Sequence, residues 1–286
     1  MIEKAVFSYF NPQSAFTNKA GFTTFKDFLY TTSLSVLCAS RQFKEVEFIS
    51  DDWGINMFKE IDLPVTSYST RLNEMKHVSR FFWAYGKLIA YTDQKVPFVH
   101  MDNDVFLWEA LPERILNAEL CFQSTEPFKL KGYGYYKLLK KPWSKAKVRP
   151  VKIVKNPVTD FAYNCGICGG NNLEFFKEWI ECSEEYIFAK ENEELFFRDF
   201  AHLLIHQNLF HEQYFAASLI KMHKMRDRVE VIHEDASKIP EVLQYTHLWG
   251  TTKKDFGMQR RVNMRLQIEE PKLHARVTKF IKKHKL

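Results

Sequence analysis

Short apolar runs alternate with amphipathic stretches from the start of the chain to about residue 101. AVFSYF (5–10) and EVEFIS (45–50) have the β-branched and aromatic density of buried strands, each closed by polar or turn-forming residues. Between them Phe25, Phe28, Leu29, Thr32 and Val36 recur at helical spacing and predict a helix over 24–42. DDWG (51–54) reads as a turn, followed by a short helix near 55–61 and a strand near 64–68. Met75, Val78, Phe82, Tyr85, Leu88 and Ile89 share one helical face and predict an amphipathic helix over 72–93. A strand at 96–101 completes a βαβαβαβ order. That order predicts an α/β fold with a central, mostly parallel sheet flanked by helices.

The second half is less regular. ALPERILNAE (110–119) predicts a short helix and LCFQST (120–125) a strand, while 128–158, with Gly132, Gly134, Pro142, Pro150 and Pro157, reads as an irregular excursion. Helical stretches at 172–190 and 211–225, a strand at 230–233, a turn at Ile239-Pro240 and a strand-like YTHLWGTT (245–252) follow. With no internal repeat and no low-complexity linker, the expectation is one domain over 1–271 carrying the 128–158 insertion, then a basic amphipathic helix over 272–286.

Composition narrows the class. A chain of 286 residues with 45% hydrophobic content, 26 Phe and 12 Tyr buries an aromatic-rich core, which excludes wholesale disorder. No apolar run reaches the length of a membrane span, and MIEKAVFSYF has neither the basic start nor the cleavage site of a signal peptide. Five cysteines, an odd and sparse set, fit a reducing compartment better than a disulfide framework. The expected location is cytoplasmic. The net charge of +6 hides a division: 128–158 holds ten Lys/Arg and no acid, and 272–286 holds six and no acid. The remaining 25 basic side chains face 35 acidic ones, so the body is net acidic.

One interruption carries chemistry. In VPFVHMDNDVFLW (96–108) an apolar strand is broken by Asp102, Asn103 and Asp104 and then resumes. A surface turn is the plain reading of such a pair. In an open α/β sheet, however, ligands bind outside the carboxyl ends of the strands. Two carboxylates there repel each other unless a cation sits between them. A hard divalent cation shared with the phosphates of a nucleotide meets that need.

HMDNDVFL resembles the Asp-x-Asp motif of GT-A glycosyltransferases. The chain is most similar to the retaining family 8 enzymes, which include glycogenin and bacterial lipo-oligosaccharide galactosyltransferases, or to a distant bacterial branch of the GT-A group. His247-Leu248-Trp249-Gly250-Thr251-Thr252-Lys253 matches that family's His-x-x-Gly-x-x-Lys, Tyr163-Asn164-Cys165-Gly166-Ile167 resembles its Asn-Ala-Gly segment, and Glu212-Gln213 resembles its Asp-Gln pair. The four stretches fall in the family's order across roughly residues 75–255. The resemblance implies Mn²⁺ (or Mg²⁺) on Asp102, Asp104 and His247. It implies a nucleotide-sugar diphosphate, UDP-linked, against Asp102, Gly250 and Lys253. Asn164 and Gly166 would line the sugar pocket, Glu212 and Gln213 would stand at the reacting carbon, and Lys87 would stand in for a diphosphate-facing Arg. Front-face attack and a covalent intermediate on Glu212 both remain open. Departures are Lys254-Asp255 for Pro-Trp, Cys165 for Ala, Glu212 for Asp, and Phe10-Asn11-Pro12 where the family has a base-reading acidic segment.

Other candidates weigh toward plain roles. Cys165-x-x-Cys168 lacks a second pair for a Cys₄ zinc site and reads as small residues in a tight Asn-Cys-Gly turn. His202 and His206 read as an ordinary helix face rather than a metal pair. Asp51-Asp52 reads as a turn or as a contact to the donor's base or ribose. Trp249 is either a sugar or base stack or a loop anchor. The cations of 128–158 suit a glycan or lipid-linked acceptor better than nucleic acid, which no motif supports. The 272–286 helix is either packed with a solvated basic face or held at an anionic membrane, at the inner face of the membrane. The competing class is a non-catalytic GT-A-like scaffold that binds anionic polymer or membrane.

Overall fold

The structure, a computed structural model, describes residues 1–11, 15–128, 135–154, 160–234, 244–248 and 250–286. In chain order its strands and helices are β1 (Lys4–Tyr9), α1 (Phe25–Ser40), β2 (Glu45–Ser50), α2 (Asp52–Ile61), β3 (Ser67–Ser69), α3 (Trp83–Thr92), β4 (Phe98–Met101), β5 (Val105–Leu107), α4 (Glu113–Leu116) and β6 (Leu120–Pro127). The rest are α5 (Tyr135–Lys145), α6 (Val151–Val154), β7 (Phe161–Gly170), α7 (Leu173–Ile187), α8 (Leu204–Leu209), α9 (Phe215–Met222), β8 (Val229–His233), β9 (Tyr245–His247), α10 (Phe256–Glu269) and α11 (Pro271–His284). A seven-stranded sheet runs in the order β3-β2-β1-β4-β7-β6-β8, and β5 pairs separately with β9. β1–β2, β2–β3 and β6–β8 are parallel, whereas β7 runs antiparallel to β6. This is the expected α/β fold with a mostly parallel central sheet flanked by helices. Among the described residues no helix is long and apolar enough to cross a membrane.

The chain divides into two compact units, one of residues 1–2, 79–99 and 113–241, the other of residues 3–78, 100–112 and 242–286. In the second unit Phe7, Phe28, Phe48 and Phe58 are fully buried, and Phe48 and Phe58 rings lie 4.3 Å apart. Helix α1 is buried nearly all round, including Thr31, Thr32, Ser33 and Ser35. Thr24 caps it, accepting from the Asp27 N–H at 3.1 Å. In the first unit Trp179, Tyr91, Phe98, Phe122, Tyr163 and Phe176 form the aromatic core that the composition requires.

Four local expectations are corrected. Asp51 is not in a turn: it is the N-cap of α2, and its Oδ1 accepts from the Gly54 N–H at 2.7 Å. The single helix expected over 72–93 is a 3₁₀ turn (Arg71–Met75) followed by α3. The second segment starts afresh because Asn208 accepts from the Ala84 N–H at 3.0 Å and donates to the Phe81 carbonyl at 2.5 Å. The Asn-Cys-Gly segment is interior to strand β7 rather than a tight turn. Small residues in β7 serve packing: a Cβ on Gly169 would stand 2.1 Å from the Phe98 carbonyl oxygen. The excursion contains helices α5 and α6, although residues 129–134 and 155–159 lie outside the described residues, as does the Ile239-Pro240 turn.

Candidate functional site

The interruption at residues 102–104 folds as a tight turn between the end of β4 and β5. Ser35, inside buried α1, donates to the Val105 carbonyl at 2.5 Å and lies 3.3 Å from the Asp102 carbonyl. Asn103 donates to the Ser8 carbonyl at 2.8 Å, so the residue between the two carboxylates anchors the turn to β1. Antiparallel pairing of β5 with β9 sets Val105 opposite His247, and the Leu248 N–H donates to the Asp104 carbonyl at 3.0 Å. The register therefore brings His247 to the acidic pair across some 145 residues of chain.

His247 Nε2 lies 3.5 Å from Asp104 Oδ1 and 3.9 Å from Asp102 Oδ2. One donor atom from each of the three residues falls within 4.8 Å of the others, the only such His/Cys/Asp/Glu group among the described residues. A hexacoordinate cation with bonds of about 2.1 Å separates neighbouring ligand atoms by about 3 Å and opposite ones by about 4 Å. The His247 separations of 3.5 and 3.9 Å lie between those two values, so the two carboxylates and the imidazole could hold a divalent cation. Lys253 Nζ stands 2.9 Å from Asp104 Oδ2. Burial of Asp104 opposes its charge, but the Lys253 ammonium and then His247 outweigh it and hold the carboxyl well below the usual carboxylate range.

Lys253 is itself held. Gln259 of α10 donates to its carbonyl at 3.1 Å, and the ammonium lies 5.4 Å from the centre of the Phe22 ring. Gly250 opens the 3₁₀ turn that carries Lys253, with φ +59° and open space where a Cβ would stand. Ser35, Phe22 and Gln259 are not singled out by the sequence, and Asn103 is there only as part of the polar break. Only Asn103, set between two aspartates, carried any signal.

The remaining predicted residues gather in the first unit. Glu212 and Gln213 lie on a single turn of π-helix (Phe210–Tyr214), a distortion frequent at functional sites. Lys87 of α3 pairs with Glu212 at 2.5 Å and donates to the Cys165 carbonyl at 3.1 Å; both charged side chains are buried. Asn164 donates to Glu126 Oε1 at 2.7 Å and accepts from the Gly166 N–H at 2.9 Å. Lys87 therefore faces Glu212 and the Cys165 carbonyl. Glu126 was not anticipated.

The plainer readings fare as follows. All five cysteines are free and buried, burial pushes the Cys165 thiol well up, and Cys165 and Cys168 belong to no cluster of possible metal ligands among the described residues. His202 and His206 belong to no metal cluster among the described residues. Trp249 lies outside them. Helix α11 buries Leu273, Val277, Phe280 and Ile281 in its own unit, and Arg276 donates to the Ile61 carbonyl at 2.9 Å, close to the C-terminus of α2. Its apolar face is used in packing.

The carboxylate–imidazole cluster follows the end of strand β4, and open α/β sheets bind ligands beyond their strand ends. The chain belongs to the family described as "Family of unknown function (DUF6734)", matched over residues 3–280. No curated protein matches it in sequence. Solved structures similar to it include apo mouse xyloside xylosyltransferase 1, at 12% identity and TM-score 0.37, over 81% of this chain and 85% of that one. The 4-diphosphocytidyl-2C-methyl-D-erythritol synthase of Anaerococcus prevotii gives 11% identity and TM-score 0.36, over 93% and 96%. The glycosyltransferase GlyE of Streptococcus pneumoniae gives 10% identity and TM-score 0.33, over 82% of this chain and 45% of that one.

Proposed function

We propose that this protein is a glycosyltransferase of the GT-A type that moves a hexose from a nucleoside diphosphate, UDP, to a glycan or lipid-glycan acceptor with retention, as in family 8. What carries the reading is the Asp102–Asp104–His247 cluster beyond the sheet's strand ends, with the Lys253 ammonium 2.9 Å from the inner carboxylate. A divalent cation, Mn²⁺ or Mg²⁺, held by those three side chains would neutralise the donor diphosphate and favour its departure. Transfer breaks the bond from the anomeric carbon to a phosphate oxygen and forms one to an acceptor hydroxyl. Negative charge grows on the diphosphate as it leaves, and Lys253, whose turn opens at Gly250, offsets it. Asn164 and Gly166 line the sugar, with Gln213 beside it. Glu212 enters as a carboxylate paired with Lys87. That pairing suits electrostatic support of a positively charged anomeric carbon better than nucleophilic attack.

Thermal unfolding with UDP, GDP, ADP or CDP, each with Mn²⁺ and each with EDTA, tests the donor site. A ligand at roughly 100 times its dissociation constant adds about 2.7 kcal/mol, enough for a midpoint rise of several degrees. The expected result is a rise with one nucleotide, seen only with metal and lost in Asp104→Ala. A non-catalytic scaffold is the competing reading, favoured by the Lys253–Asp104 pair, in which the ammonium offsets the inner carboxylate's charge without a metal ion. No response to any nucleotide would overturn the donor site and favour that alternative.

A further inference from the structure

The polar cluster of the first unit does not stop at its ion pair. Trp83, the first residue of α3, stands one helical turn before Lys87, whose ammonium lies 6.0 Å from the centre of the indole. Its neighbours Phe82 and Ala84 are buried at 2% and 0% exposure, whereas Trp83 is 39% exposed. The indole does not hang from a loose end, because Asn208 ties both the Ala84 N–H and the Phe81 carbonyl. A fixed aromatic face therefore opens beside a desolvated charge pair, Lys87–Glu212, whose side chains are only 7% and 1% exposed.

Shielding the ion pair requires only apolar cover, which a fully buried side chain supplies better. A half-exposed indole supplies a flat, weakly negative face, and the C–H groups of a pyranose carry the complementary partial charge. Aromatic surface next to a few fixed polar groups is the usual composition of a small-molecule site. Hydroxyl-rich, flat-faced rings match both halves.

We propose that Trp83 is the stacking platform of the acceptor site, taking a pyranose ring of a glycan on its exposed face next to Lys87 and Glu212. The assignment of that sugar as acceptor rests on the glycosyltransferase reading above; the saccharide site itself does not. Saturation-transfer NMR with lactose, maltose, cellobiose and xylobiose, on the full chain and on Trp83→Phe and Trp83→Ala, tests it. At least one disaccharide is expected to bind the parent protein. Trp83→Phe should stay within about threefold of it, and Trp83→Ala should weaken binding about tenfold. The response of the melting midpoint to nucleotide and Mn²⁺ should be the same in all three proteins. Unchanged binding by Trp83→Ala, no disaccharide binding at all, or equal loss in both variants with a lowered midpoint would overturn the platform. Absence of any nucleotide response in the parent protein would overturn the donor reading alone, leaving the NMR result to decide the saccharide site.

Discussion

At the scale of single residues, the Lys87–Glu212 pair is the most exacting arrangement in the molecule. Burying two opposite charges costs several kcal/mol per ion, offset only by close contact and further hydrogen bonds, such as the one from Lys87 to the Cys165 carbonyl. Removing one partner leaves the other charged and desolvated. Lys87→Met is therefore expected to destabilise the fold by about 3–5 kcal/mol, and the double variant Lys87→Met/Glu212→Leu to recover much of that. Urea unfolding of the two variants checks it; a double variant no more stable than the single one would show that the pair's charges are not what the site must balance. This pair was illegible in the sequence, since residues 125 apart reveal nothing of their contact. The acidic pair at 102 and 104 was legible, because it broke an apolar run that nothing else required to break. Trp83 left a fainter trace: it falls off the helical stripe of Phe82, Tyr85 and Ile89, where an indole serves no core.

At the scale of elements, strand β7 shows where a pattern misleads. Asn164, Cys165, Gly166, Gly169 and Gly170 have the composition of a turn, yet all lie in a ten-residue strand. The missing side chains of Gly169 and Gly170 answer the close approach of β4 and of the chain at Glu119, whose carbonyl oxygen would stand 2.0 Å from a Cβ on Gly170. Gly169→Ala is expected to force β7 away from Phe98 and to cost about 1–3 kcal/mol, as overpacking does. Thermal unfolding reads it, and a neutral outcome would mean that the strands separate freely at this point. Helix α10 was missed for the opposite reason. Only Gln259, Val262 and Leu266 are buried along its 14 residues, too narrow a stripe to stand out in a sequence with exposed Phe256, Met264 and Ile268. The helix nonetheless matters to the site, since Gln259 holds the backbone of Lys253. The βαβ alternation was legible because β1, β2 and β4 are short and largely buried. In the second half β6, α7 and β8 were legible, whereas the stretch between α7 and α9 is broken by π and 3₁₀ turns that no simple period describes.

At the scale of the whole molecule, stability carries the imprint of a buried histidine on the same π turn as Glu212. His211 is 0% exposed, packs against Phe82, and has no hydrogen-bond partner on either ring nitrogen among the described residues. Desolvation of the ring lowers its pKa to about 3 from an ordinary 6.5. The folded protein therefore keeps the imidazole neutral at pH values where the unfolded chain protonates it. Below pH 6.5 the unfolded state binds a proton that the folded state does not, so stability falls as pH drops, by at most about 1.4 kcal/mol per pH unit, until pH 3. Carboxylates with lowered pKa values, among them Asp104, Glu178 and Glu269, lose stabilisation in the same direction but below their ordinary range near pH 4. Burial also lowers His233 and His274, which add their own slopes in the His window. The difference between the parent protein and His211→Phe isolates the one residue, because Phe fills the pocket and cannot titrate. Between pH 6.5 and 4.5 the parent protein should lose up to about 2–3 kcal/mol more than the variant, measured by urea unfolding at each pH. Parallel stability curves would mean that His211 takes up its proton in the folded state, and that the turn carrying Glu212 and Gln213 opens to water well above pH 3.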